Sequence, residues 1–226
     1  MIKIVHSHYE EPLVLQHNFP SVLIIENPFE FYETVYALIK QFDGEEGDYV
    51  FLNDGKEISA CEKGFLISDP FVLDFEDKKL TNALYKYIEN KYNSCGCFLR
   101  LSELNTEIFY FLGSLTYDYS FELEHSEISL TALLKAVDMH ATAHYDSYLE
   151  KLICYINLIS ELKRAEFFIF VNLKGLLDDE SLLKLYSHCE AEKISLLLIE
   201  NNCSRKKLQT ERHKIITEDL CEIIVN

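Results

Sequence analysis

Three continuous apolar segments, each joined to a helix, restrict the fold of this chain more than any other feature. The segments are residues 22–25, 167–171 and 194–200. A helix follows each of the first two, and the third segment follows the second helix. Strands that are apolar on both faces are typical of parallel sheets covered by helices on both sides. The pattern therefore predicts an α/β fold, and we expect residues 22–25 to pair in parallel with residues 167–171.

The turn after the first strand lacks the chemistry of a phosphate-binding loop. A phosphate loop of the type G-x-x-x-x-G-K-[ST] surrounds phosphates with backbone N–H groups and a lysine. Here residues 26–30 read Glu-Asn-Pro-Phe-Glu, with neither glycine nor lysine. Pro28 has no N–H, and the carboxylates of Glu26 and Glu30 repel an anion. We therefore predict a degenerate P-loop-like fold that binds no nucleotide.

The middle third of the chain is predicted to be helical and to interrupt the α/β part. Apolar residues recur at helical spacing within residues 77–92 and 101–115, and Ser129 is a suitable cap for a helix over 130–137. A further helix is predicted from Ser147 to Arg164, after a break. We expect a discontinuous α/β head domain, residues 1–60 and 146–226, and an inserted helical leg domain, residues 61–145.

The charge balance limits the partners of this chain. Its 226 residues contain 38 acidic residues and 21 lysines and arginines, which gives a formal net charge of −17. Such a protein resists non-specific contact with nucleic acid and anionic lipid, so DNA binding requires a local basic surface. The N-terminus does not read as a signal peptide, and no apolar run reaches the ~18 residues of a membrane span. Seven scattered cysteines fit reduced thiols, and we expect a cytoplasmic protein.

An acidic segment is the best candidate for metal chemistry. Hard cations such as calcium take six to eight oxygen ligands, which flexible carboxylates can supply. The spacing does not match an EF-hand, and a solvated acidic loop is the alternative interpretation. The pairs His6 with His8 and His140 with His144 are interpreted as polar surface. The candidate metal ligands are Asp118, Glu122, Glu124 and Glu127.

Basic residues on the predicted helices and near the C-terminus are candidates for DNA binding. Individually they resemble ordinary solvated charges, and they acquire a function only if several face one cavity. Residues 205–207 follow a buried strand, at the sheet edge where open α/β folds usually bind ligands. The candidate DNA-binding residues are Lys78, Lys79, Lys86, Lys135, Lys151, Lys163, Arg164, Arg205, Lys206 and Lys207.

Taken in order along the chain, several short segments resemble a known family. This is the small CRISPR-associated DNA-binding protein of type II-A systems, which takes part in acquiring new spacers. The likeness runs nearly from end to end, although this chain departs from it at the N-terminus, at residues 95–97 and in the basic run from Arg205. The segments that carry the likeness are residues 22–27, 67–70, 122–124, 127–130, 135–137, 170–172 and 177–182.

The resemblance implies a subunit with a head and a leg and no catalytic activity. It also implies a ring-shaped homotetramer, supported by calcium, that threads the ends of double-stranded DNA. The calcium ligands would map onto residues 118–127. The implied partners are double-stranded DNA, further copies of the chain, and the integrase and RNA-guided nuclease proteins of the same CRISPR locus, in antiviral defence.

Three alternative functions stay open from the sequence. A metal-dependent nuclease would use the acidic segment at residues 118–127, although two-metal chemistry needs carboxylates that converge from separate elements. An active P-loop NTPase would need the phosphate contacts that residues 26–30 lack. A protein-only scaffold would bind partner proteins and no DNA.

Overall fold

The computed structural model describes residues 1–96, 98–116, 124, 126–163, 165–202 and 207–225. These residues divide into two compact units. The first unit comprises Met1–Leu73 and Ala143–Asn226, and the second comprises Asp74–Thr142. Within the described residues, no helix combines the length and the apolar character that crossing a membrane requires.

The first unit contains a six-stranded sheet with the order β10-β9-β3-β8-β7-β6. The strands from β9 to β6 are parallel, and β10 pairs antiparallel to β9 at one edge. The α/β head with a mainly parallel sheet, predicted from the sequence, is therefore confirmed. The bounds of these strands are β3 Ser21–Ile25, β6 Gly64–Ile67, β7 Phe167–Val171, β8 Ser195–Glu200, β9 Arg212–Ile216 and β10 Glu222–Val225.

The strand pairing predicted from the sequence was wrong in one respect. β3 pairs with β8 and β9, and β7 pairs with β8 and β6, so β3 and β7 are not neighbours. The physical reason is that β3, β7 and β8 are all fully buried, so the apolar pattern does not decide that β8 lies between the other two. β10 lies at one edge of the sheet and pairs only with β9 among the described strands.

A second sheet is formed by short strands near the N-terminus, where the sequence indicates a strand at residues 2–5 and a hairpin-like piece at residues 49–55. Its order is β2-β1-β4-β5, and all of its pairings are antiparallel. Asp54 and Gly55 have positive φ angles in the tight turn between its last two strands, a conformation that glycine adopts easily. The strands are β1 Ile2–Val5, β2 Leu13–Leu15, β4 Val50–Asn53 and β5 Lys56–Ile58.

One hydrophobic core lies between the four-stranded sheet, helix α1 (Pro28–Phe42) and one face of the six-stranded sheet. Phe51 of β4 stacks on Phe167 of β7, with ring centroids 5.6 Å apart. The short helix α2 (Ala60–Lys63) leads directly into β6, where Gly64 meets the ring of Phe167. These contacts bury β3, β7 and β8 on this face of the sheet.

Two helices of the first unit cover the other face of the six-stranded sheet. They are α6 (Tyr148–Lys163) and α7 (Asp179–Ala191), and their apolar residues are buried. Tyr155 of α6 contacts Phe65 of β6, which in turn packs on Phe168 of β7. A 3₁₀-helical turn, η1 (Leu173–Gly175), connects β7 to the segment before α7.

The second unit contains α3 (Lys78–Cys95), α4 (Phe98–Leu115) and α5 (Leu130–Ala136). Asp77 caps α3 and Ser129 caps α5, each by accepting a backbone N–H three residues on, as helix N-caps commonly do. The chain leaves the helical state after α5, with Asp138 at φ 50°, and re-enters it at α6. The helices and the break predicted for this region are confirmed.

The domain limits predicted from the sequence differ from these two units at the first boundary. The sequence placed residues 61–145 in the leg, whereas the strand β6 pairs with β7 in the six-stranded sheet. Residues up to Leu73 accordingly belong to the first unit. The second boundary lies at Ala143, close to the predicted residue 146.

Candidate nucleic-acid interface

Helix α3 is a locally basic element in a strongly acidic chain. It contains four lysines, Lys78, Lys79, Lys86 and Lys91, and a single acidic residue, Glu89. All four lysines are exposed, and Leu80 and Tyr85 are the buried residues of this helix. Lys79 and Lys86 are seven residues apart, which places them on one face of the helix about 10 Å from each other. This face presents positive charge to solvent.

Lys135 adds a further exposed charge to the same unit. It lies in the last turn of α5, a helix that packs against α3 through its buried Leu134 side. Cations in the last turn of a helix interact favourably with the helix dipole, which helps to explain a lysine there. The structure therefore brings the leg lysines of the predicted DNA-binding set, Lys78, Lys79, Lys86 and Lys135, into one compact unit.

The predicted DNA-binding lysines of the first unit have local partners. Lys151 and Lys163 lie on α6, with their ammonium groups 5.5 Å from the ring centroid of Tyr145 and 4.8 Å from that of Phe65. Lys207 donates a hydrogen bond to the Val225 carbonyl, at 2.9 Å. The remaining members of the set, Arg164, Arg205 and Lys206, lie outside the described residues.

The predicted metal ligands are only partly described by the structure. Asp118 and Glu122 lie outside the described residues, whereas Glu124 and Glu127 are exposed. Asn105 of α4 holds the backbone next to Glu127, because its side chain accepts from the Ile128 N–H and donates to the Ile128 carbonyl. The described part of the chain contains no group of three or more metal-ligating side chains. A calcium site at residues 118–127 stays a prediction.

The start of α1 offers little to a phosphate group. The Asn27 side chain accepts hydrogen bonds from the backbone N–H groups of Phe29 and Glu30, at 3.0 and 3.1 Å. Pro28 at the first helical position has no N–H to donate. The donors that a helix N-terminus normally directs at an anion are therefore already used within the protein. This geometry agrees with the prediction that the turn after β3 does not hold a nucleotide.

A buried charge cluster lies near the carboxyl edge of the six-stranded sheet, and the sequence did not reveal it. The ammonium of Lys174 donates to both carboxylate oxygens of Glu211, each at 2.8 Å. Tyr186 donates to Glu211 at 2.7 Å, and His213 Nε2 lies 2.7 Å from its second oxygen. The partners of Lys174 are distant from it in sequence and share no motif, so no local pattern connects them.

The cluster fixes the protonation of its members. Burial by itself raises the pKa of Glu211, but hydrogen bonds from His213, Lys174, Tyr186 and the Leu208 N–H outweigh burial and lower that pKa to about 2. Burial and the Glu211 carboxylate raise the pKa of Tyr186, so its hydroxyl stays protonated and acts as a donor. The Glu211 carboxylate is therefore charged at neutral pH and fully engaged by its neighbours.

A cavity of 290 Å³ adjoins this cluster, and its lining includes Asn172, Lys174, Glu200 and His213. Glu200 accepts the backbone N–H of Lys174, and Asn172 accepts that of Asn201. Among the described residues, Lys174 is the lysine that lines the cavity, and its ammonium already neutralises Glu211. With Glu200 in the wall, the cavity is poorly suited to an anion. The basic surface of α3 and α5 is the better candidate for nucleic acid.

Comparison with known proteins shows the family to which this chain belongs. Residues 41–220 match the family described as "CRISPR-associated protein (Cas_Csn2)". A protein from Streptococcus agalactiae named "CRISPR-associated protein Csn2" is 24% identical over 201 residues, which cover 88% of this chain and 89% of that protein.

Solved structures with a similar arrangement include two ATP-binding cassette proteins. One is a nucleotide-free ATP-binding cassette from an ABC transporter, with a TM-score of 0.47 and 12% identity, covering 98% of this chain and 90% of that one. The other is a putative ABC transporter ATP-binding protein from Pyrococcus furiosus, with a TM-score of 0.38 and 12% identity, covering 94% and 96% of the two chains.

Proposed function

Because this chain belongs to the Csn2 family of CRISPR-associated proteins, we propose that it binds the ends of double-stranded DNA during spacer acquisition. The binding is independent of sequence and involves no catalysis. The observation that supports it best is helix α3, with four lysines and one acidic residue in a chain of net charge −17. Contacts from lysines to phosphates hold the duplex without reading its sequence. We place the protein in the cytoplasm, with the integrase and RNA-guided nuclease of the same locus as its protein partners.

In a homotetrameric ring, the lysines of α3 and α5 would together form the surface that contacts DNA. Repetition of the leg unit around a symmetry axis multiplies each exposed lysine and concentrates positive potential in the centre. The acidic residues that dominate the rest of the chain then remain outside the channel or are neutralised by cations. A closed ring also explains why DNA would enter through its ends.

A gel-shift comparison tests this function directly. Linear duplex DNA and a covalently closed circle of the same sequence are each mixed with the protein, first with calcium and then with a chelator. We expect only the linear DNA to bind, more tightly with calcium, and to remain intact. Equal binding of both DNAs would indicate an open surface instead of a ring. Cut DNA would favour a metal-dependent nuclease, and no binding would favour a protein-only scaffold.

Reversing the charge of Lys86 and Lys135 is expected to weaken DNA binding. The double variant Lys86→Glu/Lys135→Glu removes two phosphate contacts, so the slope of log K against log salt falls by about 1 for each lysine. Fluorescence anisotropy with linear DNA at several salt concentrations measures this slope. The matched control is Lys184→Glu, a charge reversal at an exposed lysine of α7. An unchanged slope in the double variant would exclude these lysines from the interface.

Removal of calcium is expected to loosen the oligomer. The reason is electrostatic repulsion within one segment when no cation is bound there. Its four carboxylates belong to Asp118, Glu122, Glu124 and Glu127. Multi-angle light scattering with calcium, and again after a chelator is added, measures the molar mass. We expect the mass of a tetramer with calcium and a smaller mass without it. A mass that the chelator leaves unchanged would contradict a supporting role for calcium.

A further inference from the structure

The outward face of α1 carries a row of exposed aromatic side chains. Phe29, Tyr32 and Tyr36, here called the α1 ridge, are 71%, 57% and 42% exposed. Spacings of three and four residues place them on one side of the helix. Thr34 and Leu38, the buried residues of α1, lie on the opposite side. The α1 ridge therefore contributes nothing to the hydrophobic core that the same helix covers.

The side chains of the α1 ridge are already arranged in order. The rings of Tyr32 and Tyr36 are stacked, with centroids 5.5 Å apart and an interplanar angle of 10°. The ammonium of Lys40, one turn further on, lies 4.5 Å from the Tyr36 ring centroid. Because these side chains are held before any partner arrives, less conformational entropy is lost when a partner binds.

An exposed aromatic row of this kind is unusual on a surface helix. The outward face of such a helix is normally charged or polar. Large exposed apolar patches mark interaction sites, and tyrosine is enriched among the residues that dominate binding energy. The α1 ridge accordingly has the composition of a docking surface.

The charge around the α1 ridge indicates which partner fits it. Between residues 26 and 46 the chain has a single basic residue, Lys40, whose ammonium lies 4.0 Å from the Glu45 carboxylate. DNA phosphates are repelled by such surroundings, and so is an acidic surface of a second copy of this chain. A basic protein surface is attracted. The acidic residues in this stretch are Glu26, Glu30, Glu33, Asp43, Glu45 and Glu46.

We propose that the α1 ridge docks a basic surface of a nucleic-acid-binding protein, with the tyrosines seated in an apolar groove flanked by lysines and arginines. Proteins that bind nucleic acid carry such surfaces, because they neutralise phosphates. The inference rests on the proposed function, in which this chain works beside other proteins that handle DNA and RNA. It assigns the α1 ridge to protein contact and the lysines of α3 and α5 to DNA.

The test uses two probes, the purified integrase and the purified RNA-guided nuclease of the same locus. Surface plasmon resonance measures the affinity of each for the wild-type chain and for the double variant Tyr32→Ser/Tyr36→Ser. We expect at least one probe to bind the wild type, and the double variant to bind that probe at least about 30-fold more weakly. Glu33→Lys is expected to weaken the same interaction, and so is added salt.

A matched control separates docking from a general loss of aromatic surface. Tyr110 of α4 is 70% exposed and belongs to the other unit, so Tyr110→Ser is expected to leave the affinity unchanged. Because Tyr32 and Tyr36 are exposed, the double variant is expected to keep the wild-type melting temperature. It is also expected to shift linear DNA as the wild type does, so a failure of the docking proposal is distinguishable from a failure of the proposed function.

Three results would overturn the docking proposal. One is that neither probe binds the wild-type chain. Another is that the double variant binds as tightly as the wild type. The third is that the double variant has a lower molar mass than the wild type in light scattering, which would assign the α1 ridge to a contact between copies of this chain.

Discussion

Replacing Glu211 with glutamine is expected to lower the free energy of unfolding by about 3–5 kcal/mol. Glu211 is 2% exposed, and it is the carboxylate that holds the buried ammonium of Lys174. Glutamine keeps the shape of the side chain but removes the negative charge, so Lys174 is left buried without a counter-charge. Urea unfolding at pH 7, followed by circular dichroism, measures the difference between the variant and the wild type.

An exposed ion pair on α7 supplies the matched control for this experiment. Lys184 and Glu180 are 2.7 Å apart, close to the distance in the buried pair, but their side chains are 63% and 77% exposed. Exposed pairs contribute about 0–1 kcal/mol, so Glu180→Gln is expected to change stability little. Equal losses in Glu180→Gln and Glu211→Gln would contradict the role of burial in the first prediction.

The effect of Glu211→Gln is also expected to depend on pH in a defined direction. The pKa of Glu211 in the folded protein is about 2, below its ordinary value of 4.5. The stability that its charge contributes is therefore fully present above pH 4.5 and is lost as the pH falls towards 2. The difference between wild type and variant should be constant from pH 7 to 5 and shrink between pH 4.5 and 3. A difference that grows in acid would contradict this assignment.

Removing both charges of the buried pair should be tolerated better than removing one. The double variant Lys174→Met/Glu211→Gln leaves no isolated ion in the interior, so part of the lost stability is expected to return. A double-mutant cycle with the single variant Lys174→Met measures the coupling between the two side chains. Additive losses in the cycle would show that the charges act independently.

Replacing Gly64 with alanine is expected to destabilise the protein by about 3 kcal/mol, at the upper end of the overpacking range. A Cβ atom at this position would lie 2.2 Å from Phe167 Cζ, a separation that no packed structure tolerates. The ring of Phe167 has little room to move, because it is fully buried and packs against Phe42 and Phe51. Chemical unfolding of the purified variant measures the loss.

Gly175→Ala is the control for this second prediction. Gly175 belongs to the same unit, and a Cβ there meets no heavy atom within 4 Å. Neither Gly64 nor Gly175 has a positive φ angle, so the two substitutions differ in packing and not in backbone strain. We expect Gly175→Ala to remain within about 0.5 kcal/mol of the wild type. A similar loss in both variants would exclude the Phe167 contact as the cause.

The parts of the fold that follow from local sequence patterns were predictable. The continuous apolar runs of β3, β7 and β8 indicated strands buried on both faces, and all three are. The helical spacing of apolar residues located α3, and the cap at Ser129 located α5. The order of strands was not predictable in this way, because strands of similar composition satisfy the same burial in several arrangements. The strand at residues 2–5 and the hairpin at residues 49–55 were indicated by local patterns, but their assembly into a four-stranded sheet was not, since its strands are only three or four residues long.

The candidate sites divide in the same way. The lysines of α3 were identifiable, because an exposed helix face is encoded by residues seven or fewer positions apart. The Lys174–Glu211 pair was not identifiable, because its members are 37 positions apart in the sequence. Glu211 precedes β9, so the position of Glu211 depends on the pairing of β9 with β3. The α1 ridge could not be identified from the sequence either. Aromatic side chains at helical spacing usually indicate a buried face, and only the structure shows which side of α1 is buried.

The sequence by itself determined the α/β class, the inserted helical region, the basic face of α3 and the absence of a phosphate loop after β3. Each of these depends on residues that are near each other in the chain. Only the tertiary structure decided the order of the strands, the buried charge cluster, the clash that Gly64 avoids and the outward position of the α1 ridge. These depend on contacts between segments that are distant in sequence, and such contacts are settled by packing rather than by local preference.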